Sequence, residues 1–438
     1  MASGEERSLA SNEVSIIASL LTNERTSMKS IIRYVAFVAG LLTASAQAQT
    51  VKIAFIEGLS GGGASLGEVA LKHFQFFAEH INARGGLNGE KIEIVPFDSK
   101  TVAQEALVQA QKAADQGIRI IAQGNGSAVA AALIDFVNKH NERNPGEEVL
   151  HVAYSSLDPA LTGEKCSYWH YRWYGHSDIK VGVIASFIKS RPNIKKIYLI
   201  NQDYSLGQST RVTARRLLKE LRPDVEIVGD ELHPLLKITD FAPYAAKIKA
   251  SGADTVITNN WGQDISLLLK AAADGGLQVD WYAPSSHGAG GPTAIKQSGL
   301  ADHVFTFVEW NPNGAPAESQ SLESAFRDKY HAGFWYPSVA NLFQMLSQAA
   351  AEAKTTNVKA LAASLEGRKA KGFNGDEIWM RKDDHQVFQD MFVLTFAPKT
   401  EAIRYDEENT GWGWKTVAQI PAADTVQPNT CRMNRPSQ

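Results

Sequence analysis

From residue 51 onward, short apolar runs alternate with longer segments in which apolar residues recur every three or four positions. Such spacing predicts a helix with one buried face. In the first of these segments the recurring residues are Ala70, Leu71, Phe74, Phe77, Ala78 and Ile81. The apolar runs predict strands at 51–56, 92–96, 118–122, 149–153, 197–200, 225–229, 255–258, 281–283 and 304–308. Strands that alternate with helices are typical of a parallel α/β sheet.

The strand–loop–helix pattern occurs twice along the chain. The repeated segments, in the same order in both halves, are 53–67 with 197–207, 123–126 with 259–262, and 153–156 with 283–286. A duplicated unit sets the architecture of a protein. The sequence therefore predicts two doubly wound parallel-sheet lobes, joined by a hinge and separated by a ligand cleft.

Loops at the carboxyl ends of parallel strands are the usual place for ligand groups. All the repeated segments end at such loops. The cleft is therefore predicted to be built from 60–66, 124–127 and 155–157 in one lobe and from 203–206, 260–261 and 285–287 in the other. The candidate ligand-binding residues are Leu66, Gly126, Ser127, Ser155, Ser156, Asp203, Tyr204, Trp261 and Ser285.

Four of these candidates suit a carboxylate. Gly126 and Ser127 offer backbone N–H groups and a hydroxyl at a helix start, where the helix dipole favours an anion. A simple N-capping role for Ser127 is the alternative. Ser155 and Ser156 end an apolar strand, so their hydroxyls can point into the cleft.

Aromatic residues predict flat pocket walls. Tyr204 and Trp261 lie on loops rather than on apolar helix faces, although packing between the lobes is the alternative interpretation. The aromatic-rich segment 166–176 lies between the two lobes in sequence and is interpreted as a crossover strand. Within it, Arg172 is predicted to form a structural ion pair rather than to clamp the ligand.

Glycine-rich segments of the chain resemble motifs that occur in enzymes. Residues 58–62 fit the nucleophile-elbow pattern of α/β-hydrolases, with Ser60 as the nucleophile. The match is weak because an elbow follows several strands, and we interpret the segment as a loop that closes over a ligand. The phosphate-loop and dinucleotide motifs are incomplete at 61–63 and 124–129. We therefore predict no cofactor and no catalytic residue, with a secreted serine hydrolase as the disfavoured alternative.

The N-terminal region carries an export signal. Lys29 and Arg33 precede the apolar run 35–42, and Ala46 and Ala48 then form a small-residue cleavage pattern. The run is shorter than the roughly 20 residues that span a membrane. We expect 28–48 to be a signal peptide cleaved near Ala48, and 1–27 to be a mis-assigned upstream extension.

Charge and cysteine content restrict the partners and the cellular compartment. The net charge of −3 argues against nucleic acid as a partner, because nucleic acid requires a concentrated positive field. The two cysteines, Cys166 and Cys431, most economically form one disulfide in an oxidising compartment. CxxC and HxxxH spacings do not occur in the sequence, which argues against a metal site.

Four segments carry a family resemblance: 53–55 with its glycine-rich loop, INARGGLNG at 81–89, DYSLGQ at 203–208 and AAADGGL at 271–277. With them the chain resembles the leucine/isoleucine/valine-binding branch of periplasmic solute-binding proteins, the receptors of branched-chain amino-acid-type ABC importers. The resemblance covers residues 51 to 400. It implies a type I periplasmic binding protein fold, in which two lobes joined by three crossovers close over a ligand.

The resemblance also implies that residues 126–127 and 155–157 hold the carboxylate of an amino acid. The leucine-type pattern has an aromatic residue, a tyrosine and an ammonium-binding acid at the positions of Leu66, Leu206 and Ser285. This chain departs from the pattern at all three. A buried ammonium without a counter-charge costs several kcal/mol. Either Asp203 supplies that charge, or the ligand is an aromatic or other organic acid that has no ammonium.

The sequence thus predicts a periplasmic, monomeric binding component of an ABC importer that delivers a small carboxylate to a membrane permease. A ligand sensor for a signalling partner, built on the same fold, is the alternative. The expected segments are 49–175 for lobe 1, 176–307 for lobe 2, 308–395 for a return to lobe 1, and 396–438 for a C-terminal strand and tail.

Overall fold

The computed structural model describes residues 50–436. The expectations for the upstream extension 1–27, the signal peptide 28–48 and cleavage near Ala48 lie outside the described residues. Within 50–436, no helix is both long enough and apolar enough to cross a membrane. In the same part of the chain, no three or more His, Cys, Asp or Glu side chains are grouped to hold a metal ion.

The first lobe is built on a five-stranded parallel sheet. Its strands are β1 (Val51–Glu57), β2 (Ile92–Asp98), β3 (Ile120–Gln123), β4 (Leu150–Ala153) and β5 (His170–Arg172). They lie in the order β2-β1-β3-β4-β5. The connecting helices are α1 (Ala64–Asn82), α2 (Ala103–Asp115) and α3 (Ser127–Arg143). Because helices cover both faces, consecutive residues of β1 from Ile53 to Ile56 are all fully buried.

The second lobe repeats this arrangement. Its helices are α4 (Ser177–Lys189), α5 (Ser205–Leu221), α6 (Ala242–Ser251), α7 (Gln263–Asp274) and α8 (Gly291–Ser298). Its parallel strands are β6 (Lys196–Gln202), β7 (Glu226–His233), β8 (Thr255–Ile257), β9 (Asp280–Tyr282) and β10 (Val304–Val308). Trp281 and Tyr282 are neighbours on β9 but belong to separate core clusters, because successive strand residues point to opposite faces.

After β10 the chain returns to the first lobe. The return segment contains α9 (Ala317–Tyr330), α10 (Pro337–Ala353), α11 (Val358–Leu365) and a small antiparallel sheet of β11 (Lys369–Lys371), β12 (Glu377–Met380) and β13 (Val387–Phe388). Phe343 of α10 packs on Phe74 of α1, with ring centroids 5.6 Å apart. The return segment therefore shares the core of the first lobe.

Two antiparallel strands, β14 (Met391–Pro398) and β15 (Trp412–Ile420), extend the second sheet to the order β15-β14-β10-β9-β8-β6-β7. All nine predicted strands are present, and the predicted two-lobed α/β fold is confirmed. The expected boundary at 395 is corrected. Phe392 already lies opposite Val308, so the return to the first lobe ends before β14. Short 3₁₀ turns lie at Gly61–Gly63, Pro159–Thr162, Ala301–His303, Pro312–Gly314 and Ala422–Thr425.

The chain passes between the lobes near 173–176, 309–311 and 389–390. Side chains tie these crossovers together: Gln386 Nε2 donates to the Tyr174 carbonyl at 3.0 Å, and Gln389 Nε2 donates to the Trp173 carbonyl at 3.3 Å. Three short crossovers held side by side form the hinge of the molecule.

The predicted disulfide between Cys166 and Cys431 is confirmed, with Cα atoms 5.6 Å apart. Cys166 lies just before β5, and Cys431 lies in the irregular C-terminal tail. The bond therefore attaches the tail to the first lobe.

Candidate ligand-binding cleft

A cleft lies between the lobes at the carboxyl ends of both parallel sheets. Leu66 and Leu157 of the first lobe pack with Leu206 and Trp261 of the second in one apolar cluster, so the lobes are closed on each other. The cleft contains about 680 Å³ of space, including its open mouth. Eight of the nine predicted ligand-binding residues line it: Leu66, Gly126, Ser127, Ser155, Ser156, Tyr204, Trp261 and Ser285.

Asp203 is the exception, and its predicted position in the cleft is corrected. Its backbone N–H continues the pairing of β6 with β7 by donating to the His233 carbonyl at 2.7 Å. The exposed carboxylate accepts a hydrogen bond from Gln208 Nε2 at 2.9 Å. The chain bends at Asp203 and Tyr204, where the Tyr204 N–H donates to the Gln202 carbonyl at 3.0 Å, and of the two residues only Tyr204 lines the cleft.

Helix α3 begins at Ser127, directly at the cleft. The cap residue is Gly126, whose φ of 92° is a conformation that favours glycine. Ser127 does not cap the helix, because it is the first helical residue; its Oγ instead accepts a hydrogen bond from the Asp158 N–H at 3.3 Å. The first N–H groups of a helix have no partner within it, so this helix start can receive an anion.

The two serines after β4 have different surroundings. Ser156 is buried, and its hydroxyl donates to the Gly124 carbonyl at 2.8 Å. Ser155 is partly exposed, and its hydroxyl donates to Asn125 Oδ1 at a longer 3.3 Å. Ser156 therefore joins the two loops of the cleft, whereas Ser155 is freer to contact a ligand.

Arg172 supports the loop after β4 through hydrogen bonds to its backbone. It is fully buried, and its guanidinium donates to the carbonyls of Ser156 (3.3 Å) and Asp158 (2.6 Å), to Gln386 Oε1 (2.7 Å) and to the Thr162 hydroxyl. The prediction of a structural role fits this geometry, but the predicted ion pair is wrong because these partners are uncharged. Burial lowers the pKa of Arg172 to about 10, so it remains a cation at neutral pH.

Aromatic rings form the walls of the cleft. In the second lobe, Trp261 Nε1 donates to the Tyr204 hydroxyl at 2.7 Å, which fixes the two rings relative to each other. Tyr174 of the first crossover and Trp335 and Tyr336 of the return segment also line the cleft. These rings suit a ligand with a flat or bulky apolar body.

Fixed dipoles, not charged side chains, dominate the electrostatics of the cleft. No Asp, Glu, Lys or Arg is found among the described residues that line it. Burial lowers the pKa of His287 to about 3, so this side chain is neutral at neutral pH. The helices whose N-cap residues line the cleft are α3 (Gly126), α5 (Tyr204), α7 (Gly262) and α10 (Tyr336), so the positive ends of their dipoles lie at its wall. The cleft therefore favours an anion.

Sequence reasoning missed Trp335 and Tyr336, which lie in the return segment, and Glu57 behind the cleft. The available signals were the aromatic run before Pro337 and an acidic residue at the carboxyl end of the mostly apolar strand β1. Neither signal specifies a cleft by itself, because both depend on contacts between distant parts of the chain.

Ser60, the candidate nucleophile of the hydrolase alternative, lies on the loop before α1. Its hydroxyl donates to Asp98 Oδ2 at 2.6 Å. The nucleophile of a catalytic triad instead donates its proton to a histidine. The hydrogen bond from Ser60 to Asp98 anchors this loop to the end of β2.

Two α/β lobes closed over a cleft of helix N-termini, hydroxyls and aromatic rings define a protein that encloses a small ligand. Residues 50–401 match the family model for the periplasmic binding protein family. The chain is 32% identical over 406 residues to Leu/Ile/Val-binding protein homolog 4 of Brucella abortus (strain 2308), covering 90% of this chain and 95% of that protein. The chain therefore belongs to the periplasmic binding protein family.

Solved structures show the same fold. The leucine-, isoleucine-, valine-, threonine- and alanine-binding protein of Brucella ovis, in a closed conformation, has a TM-score of 0.80 and 30% identity, covering 89% of this chain and all (100%) of that one. An ABC transporter solute-binding protein from R. palustris, in complex with benzoate, has a TM-score of 0.74 and 16% identity, covering 87% and 99%. At 16% identity, the similarity to the R. palustris protein shows a shared fold alone.

Proposed function

We propose that this chain is the binding component of a branched-chain amino-acid-type ABC importer. It captures a small carboxylate in the periplasm, closes its lobes and presents the ligand to a membrane permease. The observation that carries the proposal is the convergence of helix N-termini from both lobes on one aromatic-walled cleft. Family membership supports transport as the role.

The ligand's carboxylate is placed at Gly126, Ser127 and Ser155, and its apolar body between Tyr204, Trp261 and the opposite aromatic wall. The names of the Brucella relatives favour an amino acid. The lining of this cleft favours an acid without an ammonium, because a desolvated ammonium would have no acidic partner there. An aromatic or other organic acid is therefore the preferred ligand class.

Matched pairs of ligands test this preference by calorimetry. 3-Phenylpropanoate differs from L-phenylalanine, and 4-methylpentanoate from L-leucine, by the ammonium group alone. We expect each acid to bind at least tenfold more tightly than its amino acid, and benzoate to bind as well. Tighter binding of the amino acids would contradict the preferred ligand class, and binding of none of these compounds would contradict carboxylate capture itself.

The remaining parts of the proposal concern the state of the protein. We infer that it acts as a monomer after removal of a signal peptide near Ala48, and that Ser60 is not a nucleophile. The bond from Ser60 to Asp98 supports the last point. Light scattering, intact-mass measurement and a serine-directed covalent probe check these statements in turn. Co-purification with a sensor kinase in place of a permease would favour the signalling alternative.

A further inference from the structure

A buried carboxyl group lies behind the loop that precedes α3. Glu57 ends β1 and is fully buried. Its Oε1 accepts hydrogen bonds from the N–H groups of Gly124 (2.5 Å) and Asn125 (2.9 Å) and from the Tyr154 hydroxyl (2.5 Å). Its Oε2 is buried without a hydrogen-bond partner among residues 50–436. One carboxyl group therefore holds two consecutive backbone N–H groups of this loop.

The same loop carries the candidate anion site. Asn125 Oδ1 accepts hydrogen bonds from the hydroxyls of Ser155 and Tyr336, both at 3.3 Å. Gly126 and Ser127 are the next two residues. The buried carboxyl group thus sets the position of the helix start at which the ligand's carboxylate is placed.

The surroundings of Glu57 contain no compensating cation within the described part of the chain. The titratable groups that face it are Tyr154, at the end of β4, and Tyr336, before α10. Asp98 lies at the end of the adjoining β2. Its carboxylate accepts hydrogen bonds from the Ser60 hydroxyl and from the backbone N–H groups of Leu59 and Lys100. On the side of α1, the ring of Phe74 packs against Tyr154 at 5.2 Å.

Burial raises the pKa of Glu57 to about 7, in spite of the hydrogen bonds to Tyr154 and the loop, which lower it. The carboxyl group is therefore partly protonated at neutral pH. An anion that enters at Gly126 and Ser127 brings a like charge close to it, and a like charge disfavours the ionised form.

We propose that Glu57 positions the loop before α3 and takes up one proton from solvent when an anionic ligand enters the cleft. Protonation removes the repulsion, while the other oxygen of the acid still accepts hydrogen bonds from the loop. The coupling rests on the proposed function, because it requires an anion at the start of α3. The affinity for the anionic ligand then falls as pH rises above neutral. The fall reaches about tenfold per pH unit when binding takes up one whole proton.

Calorimetry at neutral pH in phosphate and in Tris measures the proton uptake, because the ionisation enthalpies of these buffers differ. The probe is benzoate, replaced if benzoate does not bind by the tightest binder among 3-phenylpropanoate, L-phenylalanine, 4-methylpentanoate and L-leucine. We expect an uptake of about half a proton per ligand, since a pKa of about 7 leaves half of the sites to be protonated. Glu57→Gln, which keeps an oxygen for the loop, should abolish the uptake. Asp98→Asn, which removes a carboxylate from the neighbouring strand end, should leave it unchanged.

Uptake that persists in Glu57→Gln would belong to another group and would overturn the proposal. Glu407 is one such group, since burial raises its pKa to about 7 as well. Absence of uptake in the wild-type protein would also overturn it. If neither probe binds, the proposed function fails, and Glu57 is then tested by carbon NMR of the ligand-free protein. A carboxyl signal that titrates near neutral pH must be present in the wild type and missing from Glu57→Gln, or the proposal falls.

Discussion

Adjacent residues on one loop have different surroundings in this protein. Asp203 is exposed and accepts a hydrogen bond from Gln208, whereas Tyr204 lines the cleft and bonds to Trp261. A charge that is next to a cleft-lining residue in the sequence therefore does not itself line the cleft. The residues that we propose to hold a carboxylate are instead those at the start of α3.

Substitutions at Ser127 and Asp203 test this difference. Ser127→Ala removes a hydroxyl from the helix start, and we expect it to cost about 1 to 3 kcal/mol of binding free energy, roughly 5- to 150-fold in Kd. Asp203→Asn should leave Kd unchanged, because its side chain does not line the cleft. Calorimetry with the tightest ligand of the matched pairs measures both. A large loss in Asp203→Asn together with none in Ser127→Ala would move the binding site elsewhere.

At the scale of elements, the C-terminal tail is attached to the rest of the protein by a disulfide and by side-chain contacts rather than by pairing in a sheet. Beyond β15, its attachments include the disulfide to Cys166, a hydrogen bond from Arg381 Nη1 to the Gln427 carbonyl (2.8 Å), and the contact of Arg435 with Glu366. All three anchor points lie in the first lobe or in the segment that returns to it.

We expect the Cys166→Ser/Cys431→Ser double variant to unfold more easily in urea by about 2 to 5 kcal/mol. The disulfide closes a loop spanning 265 residues, and its loss restores freedom to the unfolded chain. Reducing agent provides the control, because it should destabilise the wild type by a similar amount and leave the double variant unaffected. If the wild type and the double variant were equally stable without reductant, the disulfide would add nothing to the stability that the other tail contacts provide.

At the scale of the whole molecule, a buried ion pair joins the crossovers. Lys180 Nζ of α4 lies 3.1 Å from Glu309 Oε1, just after β10, with 1% of each side chain exposed. The same carboxylate accepts a hydrogen bond from the Gly175 N–H of the first crossover at 3.0 Å. The hinge therefore depends on one charge pair that holds two crossovers and the first helix of the second lobe.

Lys180→Met should destabilise the protein by about 3 to 5 kcal/mol, because it leaves the buried Glu309 carboxylate without its cation. The double variant Lys180→Met/Glu309→Gln should recover most of that loss, since the amide oxygen can still accept from Gly175 without a charge. Urea unfolding of the wild type, both single variants and the double variant gives the coupling energy. Additive losses would show that the pair does not act as a unit.

Much of the fold could be predicted from the sequence, because its signals are local. Apolar spacing identified the parallel strands of both sheets except β5, whose segment is interpreted from the sequence as a crossover, and the internal repeat predicted two lobes with loops at their carboxyl ends. The strands β14 and β15 were not assigned to the second sheet. The pairing of β14 with β10 joins segments more than 80 residues apart, and β15 enters the sheet only through β14, so no periodicity in the sequence encodes these positions.

By itself, the sequence determined the class of protein, the position of the cleft at the strand ends and the disulfide, because each follows from a short pattern or from residue counts. Only the tertiary structure decided which side chains meet in the cleft. Tyr336 reaches Asn125 across 211 residues, and Tyr154 reaches Glu57 across 97. The physical reason is that side-chain direction, burial and the resulting pKa depend on neighbours brought together by folding.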